Sequence, residues 1–90
     1  MYRLEFSKEV LRSIAVYKRS NKKAYNKITM LLQEIQEHPR TGTGHPEPLI
    51  GSNNKTYSRR ITKKDRLIYD IYDEIVTVLV ISADGHYDDK

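Results

Sequence analysis

The sequence predicts an α+β domain of order β-α-α-β-β-β, with an antiparallel sheet and two helices packed on one of its faces. Two consecutive stretches, around Val10 to Tyr17 and Ala24 to Ile35, repeat apolar residues at helical spacing. The second half holds three strand-like stretches separated by short polar turns. Ninety residues support one modest core, so all elements belong to a single domain, residues 1–90.

The elements follow in order. Tyr2-Arg3-Leu4-Glu5-Phe6 alternates and reads as a strand. Ser7 suits a helix N-cap, with Glu9 in the first turn, where the helix dipole favours an acid. Val10, Leu11, Ile14 and Tyr17 carry that helix to about Arg19. Asn21 can cap a second helix with Ala24, Ile28, Leu31, Leu32 and Ile35 as its apolar stripe. Pro39 stops it near His38. The turn between the helices is very short, which predicts antiparallel packing.

Arg40 to Asn54 holds three of the four glycines and two of the three prolines, so it reads as a loop. Loops this long in a small domain are usually functional or disordered. Lys55–Thr62 and Arg66–Tyr72 then flank a hairpin loop at Lys63-Lys64-Asp65, and Asp73-Glu74 makes a second turn. Ile75 to Ile81 is nearly continuous in β-branched residues, as a central strand would be. The helices cover one sheet face and leave the other partly open for a site.

Composition narrows the function. With no cysteine there is neither a disulfide nor a thiolate metal site. No run approaches the ~20 apolar residues of a membrane span. MYRLEFSKE is charged where a signal peptide would be apolar. The expectation is a soluble, cytoplasmic protein with no membrane partner. The net charge of +4 favours a polyanionic partner. Lys18, Arg19, Lys22, Lys23 and Lys27 form a basic patch around the helix turn, readable as contacts to nucleic-acid phosphates or as a solvated charge run.

Three places carry candidate chemistry. Pro46 and Pro48 bracket Glu47 and restrict the backbone on both sides, so this carboxylate can be aimed; a solvated glutamate in a rigid loop is the plain alternative. Arg59, Arg60 and Arg66 offer planar, always-charged groups for a phosphate, or simply surface ion pairs. Neighbours on a strand face opposite ways, so only one of Arg59 and Arg60 shares a face with Arg66, and the hairpin register decides which. His86-Tyr87 pairs an imidazole suited to proton transfer with a stacking ring and hydroxyl.

Together these groups match metal-free RNA cleavage. A base deprotonates the ribose 2′-hydroxyl, which attacks the adjacent phosphorus. A cation stabilises the phosphorane-like transition state, and an acid protonates the departing 5′-oxygen. DNA lacks that hydroxyl. No metal-ligand spacing and no cofactor motif competes; Gly42 and Gly44 lack the lysine and helix of a phosphate-binding loop.

"GTGHPEPL", "YSRRITKKDRLIYDI" and "HY" resemble, in order and spacing, the YoeB/Txe branch of the RelE-type bacterial toxins, a likeness covering nearly the whole chain. The resemblance implies the RelE-like β-α-α-β-β-β fold and a ribosome-dependent messenger-RNA endonuclease of a type II toxin–antitoxin system. It implies Glu47 as general base, Arg66 as transition-state cation, His86 as general acid and Tyr87 as substrate-positioning residue. Arg60 is the phosphate-binding arginine it favours over Arg59. The implied partners are a YefM/Axe-like antitoxin, the ribosome and mRNA, with a homodimer allowed and operator DNA reached only through the antitoxin. The chain departs from the family pattern at Ile50, where a lysine is common and Lys55 is the candidate substitute, at Thr56, and in the added Asp88-Asp89-Lys90. The rival readings are a catalytically inactive module that binds antitoxin and acts as a corepressor, and a small RNA-binding domain without chemistry.

Overall fold

A computed structural model describes residues 1–84. Strand β1 is Arg3–Phe6, helix α1 Lys8–Ser20, helix α2 Lys22–Glu37, β2 Glu47–Pro48, β3 Thr56–Arg60, β4 Arg66–Tyr72 and β5 Thr77–Ser82. A 3-10 turn, Asp73–Ile75, links β4 to β5.

The capping signals hold. Ser7 Oγ accepts from Val10 N–H at 3.0 Å and donates to Ile81 O at 2.8 Å, so one hydroxyl starts α1 and pins it to β5. Asn21 serves two helices: its N–H closes α1 onto Tyr17 O, and its side chain accepts from Ala24 N–H at 3.1 Å to open α2. A one-residue connection folds the helices back on one another. Val10, Ala24, Ile28, Leu31 and Ile35 are buried, whereas Leu11 turns out to solvent. Each fully buried Ile or Leu contributes roughly 1.5–3 kcal/mol relative to exposure.

The sheet order is β1-β5-β4-β3-β2. It is antiparallel except at one edge, where β1 pairs with β5 in parallel (Leu4 opposite Val78). The antiparallel sheet expected from the sequence thus carries one parallel pair at its edge. The helix pair carries the chain from β1 at one edge to β2 at the other, and the antiparallel run β2–β3–β4–β5 then returns it, bringing β5 alongside β1 in the same direction. The loop expected over Arg40–Asn54 also yields β2, an edge strand with Glu47 opposite Ser58. Proline is tolerated at an edge because its missing N–H leaves no ladder bond unmade on the solvent side. The strand expected from Ile75 starts at Thr77 instead, since Val76 takes φ 48 at the end of the 3-10 turn.

Tyr57, Leu67, Tyr69, Ile71, Val78 and Val80 form the sheet side of the core with the α2 stripe. Thr56, Ser58, Arg60, Arg66, Ile68, Asp70 and Leu79 fall on the opposite face by register.

Candidate active site on the uncovered sheet face

The β3–β4 register places Arg60 directly opposite Arg66. The hairpin loop sets that register. Thr62 Oγ1 accepts from the N–H groups of Lys64 (3.2 Å) and Asp65 (3.0 Å), and Ile61 N–H donates to Asp65 O at 2.8 Å. Directly opposed side chains have Cβ atoms about 4.5–5.5 Å apart, and like charges so placed are destabilising. Among the described residues no carboxylate forms an ion pair with either guanidinium. Two arginines that face each other on a strand pair are suited to an anion held between them.

Glu47 lies one strand further on. It is opposite Ser58, so it shares the Arg60 face and is the diagonal neighbour of Arg60, a separation of about 7–8 Å. Its side chain is exposed. It lines one end of a cavity of about 530 Å³ whose other walls include Pro48, Leu49, Ile50 and Thr56. Ile50 is fully exposed at the rim.

The third edge of the site comes from the end of β5. Arg66 N–H donates to Asp84 O at 3.2 Å. Tyr17 Oη donates to Ala83 O at 2.8 Å. Burial, reinforced by the negative charges of Asp65 and Asp84, raises the Tyr17 phenol pKa, so it remains a donor. The chain thus leaves β5 beside the Arg66 backbone. His86 and Tyr87 lie outside the described residues.

Arg59 is corrected as a phosphate ligand. It is completely buried on the helix side. Nε donates to Tyr69 Oη (2.9 Å), one terminal nitrogen to Glu34 Oε1 (2.8 Å) and Thr43 O (3.3 Å), and the other to His38 O (2.6 Å) and Thr41 O (2.8 Å). Every part of the fork is occupied internally, because alternation aims residue 59 into the core once residue 60 faces out. Glu34, which closes this cage, carried no sequence signal: it is one of two acids in α2, with Glu37.

Lys55 is not brought to the arginine pair. It precedes β3 at the far end, five residues from Arg60 or roughly 17 Å at strand rise, with Nζ 4.4 Å from the centre of the Tyr72 ring. The residues of the basic patch lie at the end of α1 and the start of α2. Lys18, Arg19, Lys22 and Lys23 are exposed and Lys27 is half-buried. Lys22 and Lys23 sit in the first turn of α2, where the helix dipole disfavours cations and no acid offsets them. Lys23 and Lys27 flank a groove of about 530 Å³ with Met30, Ile61 and Thr62, and Ile61 follows Arg60 directly. No group of three or more metal-ligating side chains occurs among the described residues. No helix there is long and apolar enough to cross a membrane.

Two helices on a five-strand, mostly antiparallel sheet make the fold of the RelE-type toxins: the isolated RelE toxin of E. coli superposes with a TM-score of 0.73 at 26% identity, covering 94% of this chain and 84% of that one. The family model for the YoeB-like toxin of bacterial type II toxin-antitoxin systems matches residues 6–87, and this chain belongs to that family. Toxin YoeB of Mycobacterium bovis is 43% identical over 68 residues, 76% of this chain and 78% of its own length. Among solved structures, the YoeB/ParE toxin from Agrobacterium tumefaciens superposes with a TM-score of 0.85 at 28% identity, covering 94% of this chain and 99% of that one. The YoeB dimer from Staphylococcus aureus gives 0.82 at 30% identity, covering 96% and 98%. The heterotetrameric YoeB-YefM toxin-antitoxin complex from Staphylococcus aureus gives 0.80 at 30%, covering 97% and 99%.

Proposed function

We propose that this toxin is a ribosome-dependent endoribonuclease that cleaves mRNA in the ribosomal A site by 2′-hydroxyl transesterification and so arrests translation. The observation that carries the reading is the Arg60–Arg66 pair, which has no carboxylate partner among the described residues and lies on the face the helices leave uncovered, with Glu47 one strand away. Glu47 takes the 2′-hydroxyl proton. The oxygen attacks the neighbouring phosphorus, Arg66 neutralises the charge that builds on the non-bridging oxygens, and Arg60 holds the phosphate. The 5′-oxygen leaves with a proton from His86, and a 2′,3′-cyclic phosphate remains. Tyr87 stacks against and orients the substrate. Base, cation and acid are all side chains, so the reading requires no metal.

The basic surface at the helix turn supports a polyanionic dock. Lysines at the α2 N-terminus cost helix stability, and ribosomal RNA phosphates would offset that cost. The S. aureus relative assembles with YefM and also occurs as a dimer. We assign to this chain an acidic YefM/Axe-like antitoxin, with operator DNA contacted only through it, and a homodimer when the antitoxin is absent. The protein acts in the cytoplasm, where its ribosome partner is.

The test is a reconstituted translation system. The expected result is message cut on the ribosome with 2′,3′-cyclic phosphate ends, and loss of cutting with Glu47→Ala, Arg66→Ala or His86→Ala. Intact message with wild-type protein, together with tight antitoxin and operator binding, would leave the inactive corepressor reading instead.

A further inference from the structure

We propose that Glu34 and Arg59 act as a positioning pair for the site, the buried guanidinium serving as the hub that holds Gly42 to Gly44 and, through that loop, both Glu47 and Arg60. The proposal rests on the nuclease reading of the same site. A buried ion pair is poor evidence of stabilisation, because apolar residues of similar volume often serve a core as well or better. What Arg59 adds is specificity of placement. Its acceptors come from the end of α2 (His38), from the loop (Thr41 and Thr43), from α2 itself (Glu34) and from β4 (Tyr69). Tyr69 extends the hub by donating to Pro39 O at 2.7 Å. The loop from 38 to 43 is therefore fixed from inside by its carbonyls.

Glu34 closes the cage from outside. Oε1 accepts from Thr43 N–H at 2.8 Å as well as from Arg59, and Oε2 accepts from Thr43 Oγ1 at 2.8 Å. The fit is close. A Cβ on Gly42 would lie 2.5 Å from Glu34 Oε1, and one on Gly44 would lie 3.2 Å from Arg60 O and from Leu31 Cδ2. Both glycines have positive φ, 124° and 87°. The two motif glycines are thus explained by approach to this cage, with no phosphate needed.

The position passes on with little slack. Gly44 O accepts from Arg60 N–H at 2.7 Å, so the caged loop grips the backbone of the arginine that faces the substrate. Only His45 and Pro46 then separate Gly44 from Glu47. His45 is held at φ 53 and proline fixes its own φ. A loop displaced at Thr43 would carry Glu47 with it.

Glu34 is the useful handle, because its side chain is 31% exposed and truncating it opens no core hole. Glu34→Ala is expected to lower kcat for message cleavage about 10- to 100-fold, the scale of a 1 Å misplacement, while KM for ribosomes stays near wild type. Amide exchange at Arg60 N–H should quicken while unfolding remains cooperative. Glu34→Gln keeps an acceptor for Arg59 and Thr43 N–H and can donate to Thr43 Oγ1, so it should restore both readouts. Thr43→Val, which removes only the hydroxyl bond, should shift both in the direction of Glu34→Ala. Wild-type kcat and wild-type Arg60 exchange in Glu34→Ala would overturn the proposal, and so would equal losses in the alanine and glutamine variants. Should wild-type protein leave message intact, the nuclease reading fails by itself, and the exchange comparison still decides whether the pair positions the loop.

Discussion

Arg60 and Arg66 oppose each other across the β3–β4 hairpin on the sheet face that the helices leave uncovered, and neither forms an ion pair among the described residues. Two like charges in that register repel, and an anion between them would relieve the repulsion. At low salt, Arg66→Ala should be as stable as wild type or more stable by about 0.2–1 kcal/mol. Inorganic phosphate should raise the Tm of the wild type and do so much less for Arg60→Ala or Arg66→Ala. Thermal melts with and without phosphate check this; equal shifts in all three proteins would remove the anion site.

Arg59, its neighbour in sequence, should behave oppositely. Arg59→Ala strips Glu34, Tyr69 and three loop carbonyls of their donor, and breaking a buried pair costs about 3–5 kcal/mol. Urea denaturation should show that loss for Arg59→Ala, with Arg60→Ala within about 0.5 kcal/mol of wild type.

Val76 is a β-branched residue at φ 48, a conformation that costs L-residues roughly 1–2 kcal/mol. It is 46% exposed, so little packing is lost on replacing it. Val76→Asn should stabilise the protein by about 1 kcal/mol, or a Tm rise of roughly 4–8 °C for a domain of this size. A lower Tm would mean that Val76 packing outweighs its strain.

Acid should weaken the fold through two carboxylates. The Thr43 amide and hydroxyl, with Arg59, hold Glu34 below its ordinary pKa of 4.5; hydrogen bonds from Arg40 and Tyr2 hold Asp73 below 3.8. A depressed folded pKa contributes stability fully above the unfolded value and loses it as pH falls through the folded one. Tm should therefore drop as pH falls below about 4.5, Glu34 contributing first and Asp73 next. Asp73→Asn should flatten the lower part of that decline, and Glu34→Gln the upper part. An unchanged slope in both would show that other groups set the acid limit.

The α2–hairpin groove and helix-turn lysines give a salt test. Ribosome association should weaken steeply as salt rises, and Lys22→Ala with Lys23→Ala should reduce that slope while leaving the fold at least as stable, since both oppose the α2 dipole. A salt-independent affinity would exclude this surface as a phosphate dock.

Much of this protein was legible without coordinates. Ser7 and Asn21 announced both helix starts, and the 3.6-residue period of Ala24, Ile28, Leu31 and Ile35 announced the buried face of α2. Local chemistry decides those features, so local sequence reveals them. Glu47 was likewise visible as a proline-clamped acid, and Arg60 and Arg66 as residue types suited to a phosphate. Other features depended on partners far along the chain. Two residues of β2 are too few to show a period, and its pairing with β3 exists only because a caged loop delivers Glu47 to Ser58. The parallel pairing of β1 with β5 joins the two ends of the described chain. The hairpin register, through Thr62 and Asp65, sent Arg60 to the open face and Arg59 to the core, where Glu34, 25 positions away in sequence, became its counter-ion. Short-range propensity determined which elements form, while long-range pairing decided which of two adjacent arginines meets solvent. The reason is that strand alternation is a two-fold choice, settled only when a partner strand locks the register.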